Sequence, residues 1–278
     1  MATILDGKAT TAIVMEEVAA EVEKLAAKGV VPGLALVLTG DDKYSARYVN
    51  LKKKRAEKIG MYAEFHHFEE TTDEDLMAFI EKLNADPKIH GIMVQLPLAE
   101  GLDEMAVVDA ILPEKDVDGL TPNTLGKVLM GEECYLPAGI EAIMELLKRY
   151  DISPEQKHWL VAGETNFLSK PLAAHLMNMK SRVTQAGPKC PHIPTLAKTA
   201  DVICTEMFKK HAITADMVKE GVIIIDNGNN YEGKKVFGDV DPAIYEKASA
   251  YTPVPGGTGP MLIAMLLRNT VKAAAKTA

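Results

Sequence analysis

Three lysines in a row, Lys52, Lys53 and Lys54, lie in the segment SARYVNLKKKRAEKIG. At about 100° per residue, Ser45, Tyr48, Lys52, Arg55 and Ile59 fall in one helical stripe about 80° wide, and Lys53 and Lys54 point away from it. A lysine held beside a phenol in such a stripe can lose part of its hydration, which lowers its pKa towards neutrality and suits it to proton transfer. The plain alternative is a solvated basic face, the usual role of a lysine run. From Lys43 to Lys58 there are seven basic residues against one acid, Glu57, so the segment attracts anions although the chain carries a net charge of −8. Gln95, in GIMVQLPL, ends a strand-like run just before Pro97. There it can hold an amide, a ring nitrogen or a neighbouring lysine, or merely end the strand. Asp116 and Asp118, in PEKDVDGLTP, can each accept hydrogen bonds from a guanidine-like edge or cap a turn.

The elements that must position these residues alternate along the chain. Helical spacing runs over 6–28, 42–59, 72–85 and 103–112; between them LALVLTG, the segment 62–68 and GIMVQLPL read as strands. Thr72 with Asp75 three positions on is a helix-start signal. A second series follows YLPAG, with helices over 140–150 and 167–180 and the strands HWLVAG, RVTQAG, DVICTEM and VIIIDNG. The last segment, 261–276, is a helix with an apolar stripe, and TPVPGGTGP before it predicts a tight, backbone-exposed loop. Strand–helix alternation predicts an α/β protein with parallel sheets covered by helices. We place the division near Pro137: residues 1–137 with 258–278 as one domain, and 138–257 as a nucleotide-binding type of domain.

Composition narrows the function classes. The 278 residues are 47% hydrophobic and 25% charged, enough for real cores and far from a disordered or fibrous chain. No apolar run reaches the ~18–20 residues of a membrane span, and the start, MATILDGKATTAIVMEE, has no basic stretch followed by an apolar core. Three cysteines without a C-x-x-C pair argue against a disulfide framework or zinc ribbon and for a reducing cytoplasm. The negative charge argues against a nucleic-acid partner. His66 and His67 are neighbours on a strand and face opposite ways, so no metal site is expected. No P-loop, H-E-x-x-H or G-x-S-x-G occurs. The chain reads as an intracellular enzyme.

Four stretches together, TGDDKYSARYVNLKKKRAEKIGM, VQLPL, PEKDVDGLTP and TPVPGGTGPM, resemble the signatures of the methylenetetrahydrofolate dehydrogenase/methenyltetrahydrofolate cyclohydrolase family. The resemblance runs from about Leu5 to Lys272. It implies a folate-binding domain facing a Rossmann-type dinucleotide domain across a cleft, a folate substrate, NADP or NAD as cofactor, and a homodimer. It further implies Tyr48 and Lys52 as the catalytic pair, Gln95 as a third catalytic residue and Asp118 as the pterin carboxylate. Ser45 and the loop Pro255, Gly256 and Gly257 join them at the substrate. Gly163, Glu164, Thr165 and Lys189 fall at the cofactor. Lys52, tuned by Gln95, would move protons during hydrolysis of the methenyl carbon, and Tyr48 would stack on the aminobenzoate ring.

The nicotinamide half departs from the family pattern. Where the family usually has Gly-Arg-Ser and then Val-Gly-x-Pro, this chain reads Gly163-Glu164-Thr165-Asn166-Phe167-Leu168-Ser169-Lys170-Pro171. An arginine there would neutralise the extra phosphate of NADP. A glutamate repels it by about 4 kcal/mol at ~4 Å and a surface-like dielectric. His-Ser-x-Thr appears as Gly187-Pro188-Lys189-Cys190, and a later Val-Gly-x-Pro as Met207-Phe208-Lys209-Lys210. Asn227 and Asn229 replace apolar residues, and Pro-Cys-Thr-Pro reads Cys134-Tyr135-Leu136-Pro137. Three readings stay open: a pocket for NAD, phosphate binding taken over by Lys170 or Lys189, or a lost dinucleotide site that leaves hydrolysis alone. A catalytically silent folate-binding paralogue is the alternative from a different class.

Overall fold

The strand Gly33–Thr39 buries all seven of its residues, which a run such as GLALVLT can do only between two strands with both sheet faces covered. A computed structural model describes residues 2–233 and 235–278. In chain order the elements are β1 (Thr3–Ile4), α1 (Gly7–Ala26), β2 (Gly33–Thr39), α2 (Lys43–Lys58), β3 (Tyr62–Phe68), α3 (Asp73–Ala85), β4 (Gly91–Val94), α4 (Glu104–Asp109), α5 (Pro122–Met130) and α6 (Ala138–Arg149). Then come β5 (His158–Gly163), α7 (Ser169–Asn178), β6 (Arg182–Ala186), α8 (Ile193–Ala197), β7 (Val202–Glu206), β8 (Ile223–Asp226), β9 (Asn230–Glu232), β10 (Lys235–Phe237), β11 (Ala250–Tyr251) and α9 (Gly259–Ala275).

The chain divides into two compact units. One holds residues 13–127, 133–138 and 263–278 and is built on the parallel sheet β3-β2-β4. Its core sets Ala35, Val37, Ile92 and Val94 from the sheet against Leu76, Ile80 and Leu83 from α3. Thr72 caps α3 by accepting from the Asp75 amide, as the capping signal predicts. Asp42 caps α2 in the same way, accepting from the Tyr44 and Ser45 amides at 3.2 and 2.9 Å.

The other unit holds residues 1–12, 128–132 and 139–262, on the parallel sheet β1-β11-β8-β7-β5-β6. The order reverses at β5, whose neighbours are β6 on one side and β7 on the other, which makes the carboxyl ends of these strands the topological switch point. The antiparallel hairpin β9–β10 stands outside the sheet.

The two compact units follow a different course from the division near Pro137 at their edges. Thr3 and Ile4 pair with Ala250 and Tyr251, so the first twelve residues belong with the six-stranded unit, and α9 joins the three-stranded unit only from Ile263. Pro122–Met130 forms a helix that the alternation did not predict, and GIMVQLPL is a strand only to Val94. Among the described residues no helix is long and apolar enough to cross a membrane.

Candidate active site

Lys52 faces inward from α2 with 5% of its surface exposed, while Lys53 pairs with Glu57 on the outer side of the helix. Its ammonium Nζ donates to Gln95 Oε1 at 2.9 Å, lies 3.5 Å from Met93 Sδ and stands 4.8 Å from the centre of the Tyr48 ring. An ammonium has three N–H donors, and here a thioether and a ring face stand in for two water molecules. Burial therefore pushes the Lys52 pKa down to about 8, against the opposing pull of the Asp118 carboxylate. Gln95 is held on both sides: its amide N–H donates to Val37 O at 2.8 Å, and its side-chain Nε2 donates to Leu96 O at 2.8 Å. That second bond turns Oε1 towards the lysine.

The two loop aspartates separate cleanly. Asp116 is buried and accepts from the Gly119, Leu120 and Thr121 amides at 2.9–3.1 Å, which makes it the organiser of the turn. Asp118 is half-buried, and desolvation raises its pKa to about 6 against the attraction of Lys52, with Asp116 pushing the same way as burial. The three-stranded unit thus brings Lys52, Tyr48, Gln95 and Asp118 together, with Ser45 half-buried one turn before Tyr48. Pro255, Gly256 and Gly257 belong to the six-stranded unit, where the carbonyl of Gly256 accepts from the Lys8 amide at 3.1 Å.

At the switch point, β5 ends at Gly163, which must lack a side chain: a Cβ there would meet Ser169 Oγ at 2.1 Å and Glu206 O at 3.0 Å. Thr165 Oγ1 accepts from the Leu168 and Ser169 amides at 3.3 and 3.2 Å, at the entry to α7. Both hydroxyls, of Thr165 and Ser169, donate to Glu206 Oε2, the latter at 2.5 Å. Burial raises the Glu206 pKa, which lowers its charge. Glu164 is exposed, and its Oε2 lies where a Cβ on Gly187 would stand. Lys170 and Lys189 are exposed, Lys170 Nζ donating to Asn166 Oδ1 at 2.7 Å. This set suits a dinucleotide in two respects, with ammonium groups for a pyrophosphate and a carboxylate for ribose hydroxyls.

The segments at 207–209 and Asn227 are also tied in place. Phe208 is exposed with its backbone in the left-handed region (φ 52°), and Asp239 holds that turn by accepting from the Met207 and Lys209 amides at 2.6 and 2.9 Å. Asn227 donates to Cys204 Sγ at 3.2 Å and accepts from the Thr258 hydroxyl at 2.6 Å.

Residues 5–118 match the family model described as tetrahydrofolate dehydrogenase/cyclohydrolase, catalytic domain, and residues 137–278 match that for its NAD(P)-binding domain. The chain belongs to this family. The bifunctional protein FolD of Bacillus subtilis is 44% identical over 279 residues, covering 99% of each chain. The bifunctional FolD structure from Campylobacter jejuni superposes with a TM-score of 0.98 at 39% identity and covers all of both chains. That of the Trypanosoma brucei enzyme, solved with NADP and an inhibitor, gives 0.94 at 30% identity over 99% and 98%. The NAD(P)-binding match spans Gly163–Pro171, Gly187–Cys190 and Met207–Lys210.

Two features of this folate enzyme escape sequence reasoning. Met93 underlies the lysine but reads as one more apolar strand residue, and Glu206 shows only as a single acid ending an apolar strand.

Proposed function

We propose that the chain hydrolyses 5,10-methenyltetrahydrofolate to 10-formyltetrahydrofolate at Lys52 and, at the same folate site, oxidises 5,10-methylenetetrahydrofolate with a nicotinamide dinucleotide. What supports the reading is the amine of Lys52, nearly dry, bonded to Gln95 and lying over Tyr48.

The methenyl carbon is already electrophilic, so the chain has to deliver water and move protons. Neutral Lys52 takes a proton from the attacking water as oxygen bonds to the carbon. The carbon–N5 bond then breaks, the hydroxyl proton leaves as the formyl carbonyl forms, and N5 is protonated through the Lys52 ammonium. One water is consumed and one proton released per turnover. Gln95 holds the amine in line, Tyr48 stacks on the aminobenzoate ring, and ionised Asp118 accepts the paired pterin N–H donors. Ser45, Pro255, Gly256 and Gly257 are the remaining substrate contacts, and the basic face of α2 draws in the glutamate tail. A dinucleotide, when bound, supplies the hydride acceptor for the methylene carbon. Gly163, Glu164, Thr165 and Lys189 hold it. The protein works in the cytoplasm as a homodimer.

The pH dependence tests this assignment. Lys52 acts as a base only when neutral and Asp118 binds pterin only when ionised, so both steps run upward with pH. Corrected for spontaneous hydrolysis, kcat/KM should rise through about 6 with Asp118 and again through about 8 with Lys52. Asp118→Asn should remove the lower step and raise KM. A profile flat from pH 6 to 9 would sink the role of Lys52.

A further inference from the structure

The switch point carries a selectivity device that rests on the dinucleotide reading above: we infer that Glu164 selects a dinucleotide whose adenosine ribose bears a free 2′-hydroxyl, NAD, over one bearing a 2′-phosphate, NADP. Ala162 pairs with Ala186, so β5 and β6 end side by side at Gly163 and Gly187. Gln185 ties the two ends together, its Nε2 donating to Gly163 O at 3.2 Å. In doubly wound folds that bind dinucleotides, the ribose hydroxyls are read by an acidic side chain about 20 residues beyond the first glycine, at the end of the second strand. Here that place is Gly187, which has no side chain.

Glu164 supplies the carboxylate from the neighbouring loop. Its Oε2 and Cδ lie 2.4 and 3.2 Å from where a Gly187 Cβ would be, so the side chain lies flat across the end of β6. A carboxylate there accepts from a ribose hydroxyl and repels a phosphate on the same oxygen. The cation of the 187–190 segment, Lys189, is exposed two residues further on and serves the pyrophosphate in this scheme. Gly187 is a positioning residue: its missing side chain is what lets the carboxylate lie at the strand end.

Calorimetric titration of NAD⁺ and NADP⁺ into the full-length protein reads this directly, without turnover. NAD⁺ should bind about tenfold or more tighter than NADP⁺, the size of one charge-assisted hydrogen bond gained and one repulsion avoided. Glu164→Gln should weaken NAD⁺ and leave NADP⁺ unchanged or tighter, and Glu164→Arg should reverse the preference. Gly187→Ala, which displaces only the flexible end of Glu164, should lower the NAD⁺/NADP⁺ affinity ratio at unchanged Tm. Wild-type protein binding NADP⁺ as tightly as NAD⁺, or a ratio that Glu164→Arg does not move, overturns the inference and leaves the dehydrogenase reading standing. Binding of neither dinucleotide, with methenyl hydrolysis intact, overturns both.

Discussion

Lys52→Met should abolish methenyltetrahydrofolate hydrolysis while leaving the protein at least as stable as before. The loss expected is on the order of 10²–10⁴ in rate, the usual worth of a positioned acid/base group. The stability argument has a definite sign. In the fold the Lys52 pKa falls from 10.5 to about 8, so the folded state holds that proton less well than the unfolded chain. Folding therefore carries a cost that is fully present below about pH 8 and disappears above 10.5; a shift of that size corresponds to about 3 kcal/mol. Methionine fills a similar volume without charge and relieves that cost, but it also forfeits the Gln95 hydrogen bond and leaves Asp118 without its cation. The net change should lie between zero and about 3 kcal/mol of stabilisation. An absorbance assay of methenyl decay with a parallel melting curve measures both. Turnover within a few-fold of wild type would refute the assignment, and a collapse of Tm would mean that the lysine is structural.

Gly7→Ala should be the most damaging small substitution in the six-stranded unit. A Cβ at position 7 would stand 1.7 Å from the carbonyl oxygen of Gly257 and 3.0 Å from that of Gly256. Both obstacles are backbone, in the loop whose Gly256 carbonyl accepts from the Lys8 amide, so no side-chain rotation relieves the clash. Alanine improves helix propensity by under about 1 kcal/mol, whereas forced movement of packed backbone costs about 1–3 kcal/mol or more. The steric cost wins. Tm should fall by roughly 4–10 °C, and, since Pro255, Gly256 and Gly257 are proposed substrate contacts, both folate activities should fall with it. An unchanged Tm would mean that the loop yields freely and that its position is not set by α1.

How much of this could be read from the chain depended on whether the signal was local. The face of α2 was legible because Tyr48 and Lys52 are one helical turn apart and Lys53 and Lys54 cannot share their stripe. Gln95 was legible because it stands just before Pro97, one residue beyond the strand Gly91–Val94. The choice between Asp116 and Asp118 was not legible from the residues, because both sit in one loop. What separates them is three backbone amides converging on Asp116, a feature of the folded turn. The place of the first twelve residues was hidden for another reason: Thr3 pairs with Ala250, almost the whole chain away, through a two-residue strand with no periodicity to detect. At the cofactor end, the resemblance to the family pattern drew attention to Glu164 and Ser169. Only the fold shows that Ser169 bonds Glu206 and that Glu164 lies across Gly187.

Hydrolysis by this route depends on the ionisation of Lys52. A titration of lysine side chains by NMR in protein carrying ¹³C-labelled lysine, with the Lys52 resonance assigned by its absence from Lys52→Met, measures it without substrate or cofactor. The expected Lys52 pKa is near 8, set by burial against Met93 and the Tyr48 ring. A value near 10.5, that of an ordinary lysine in water, would contradict it.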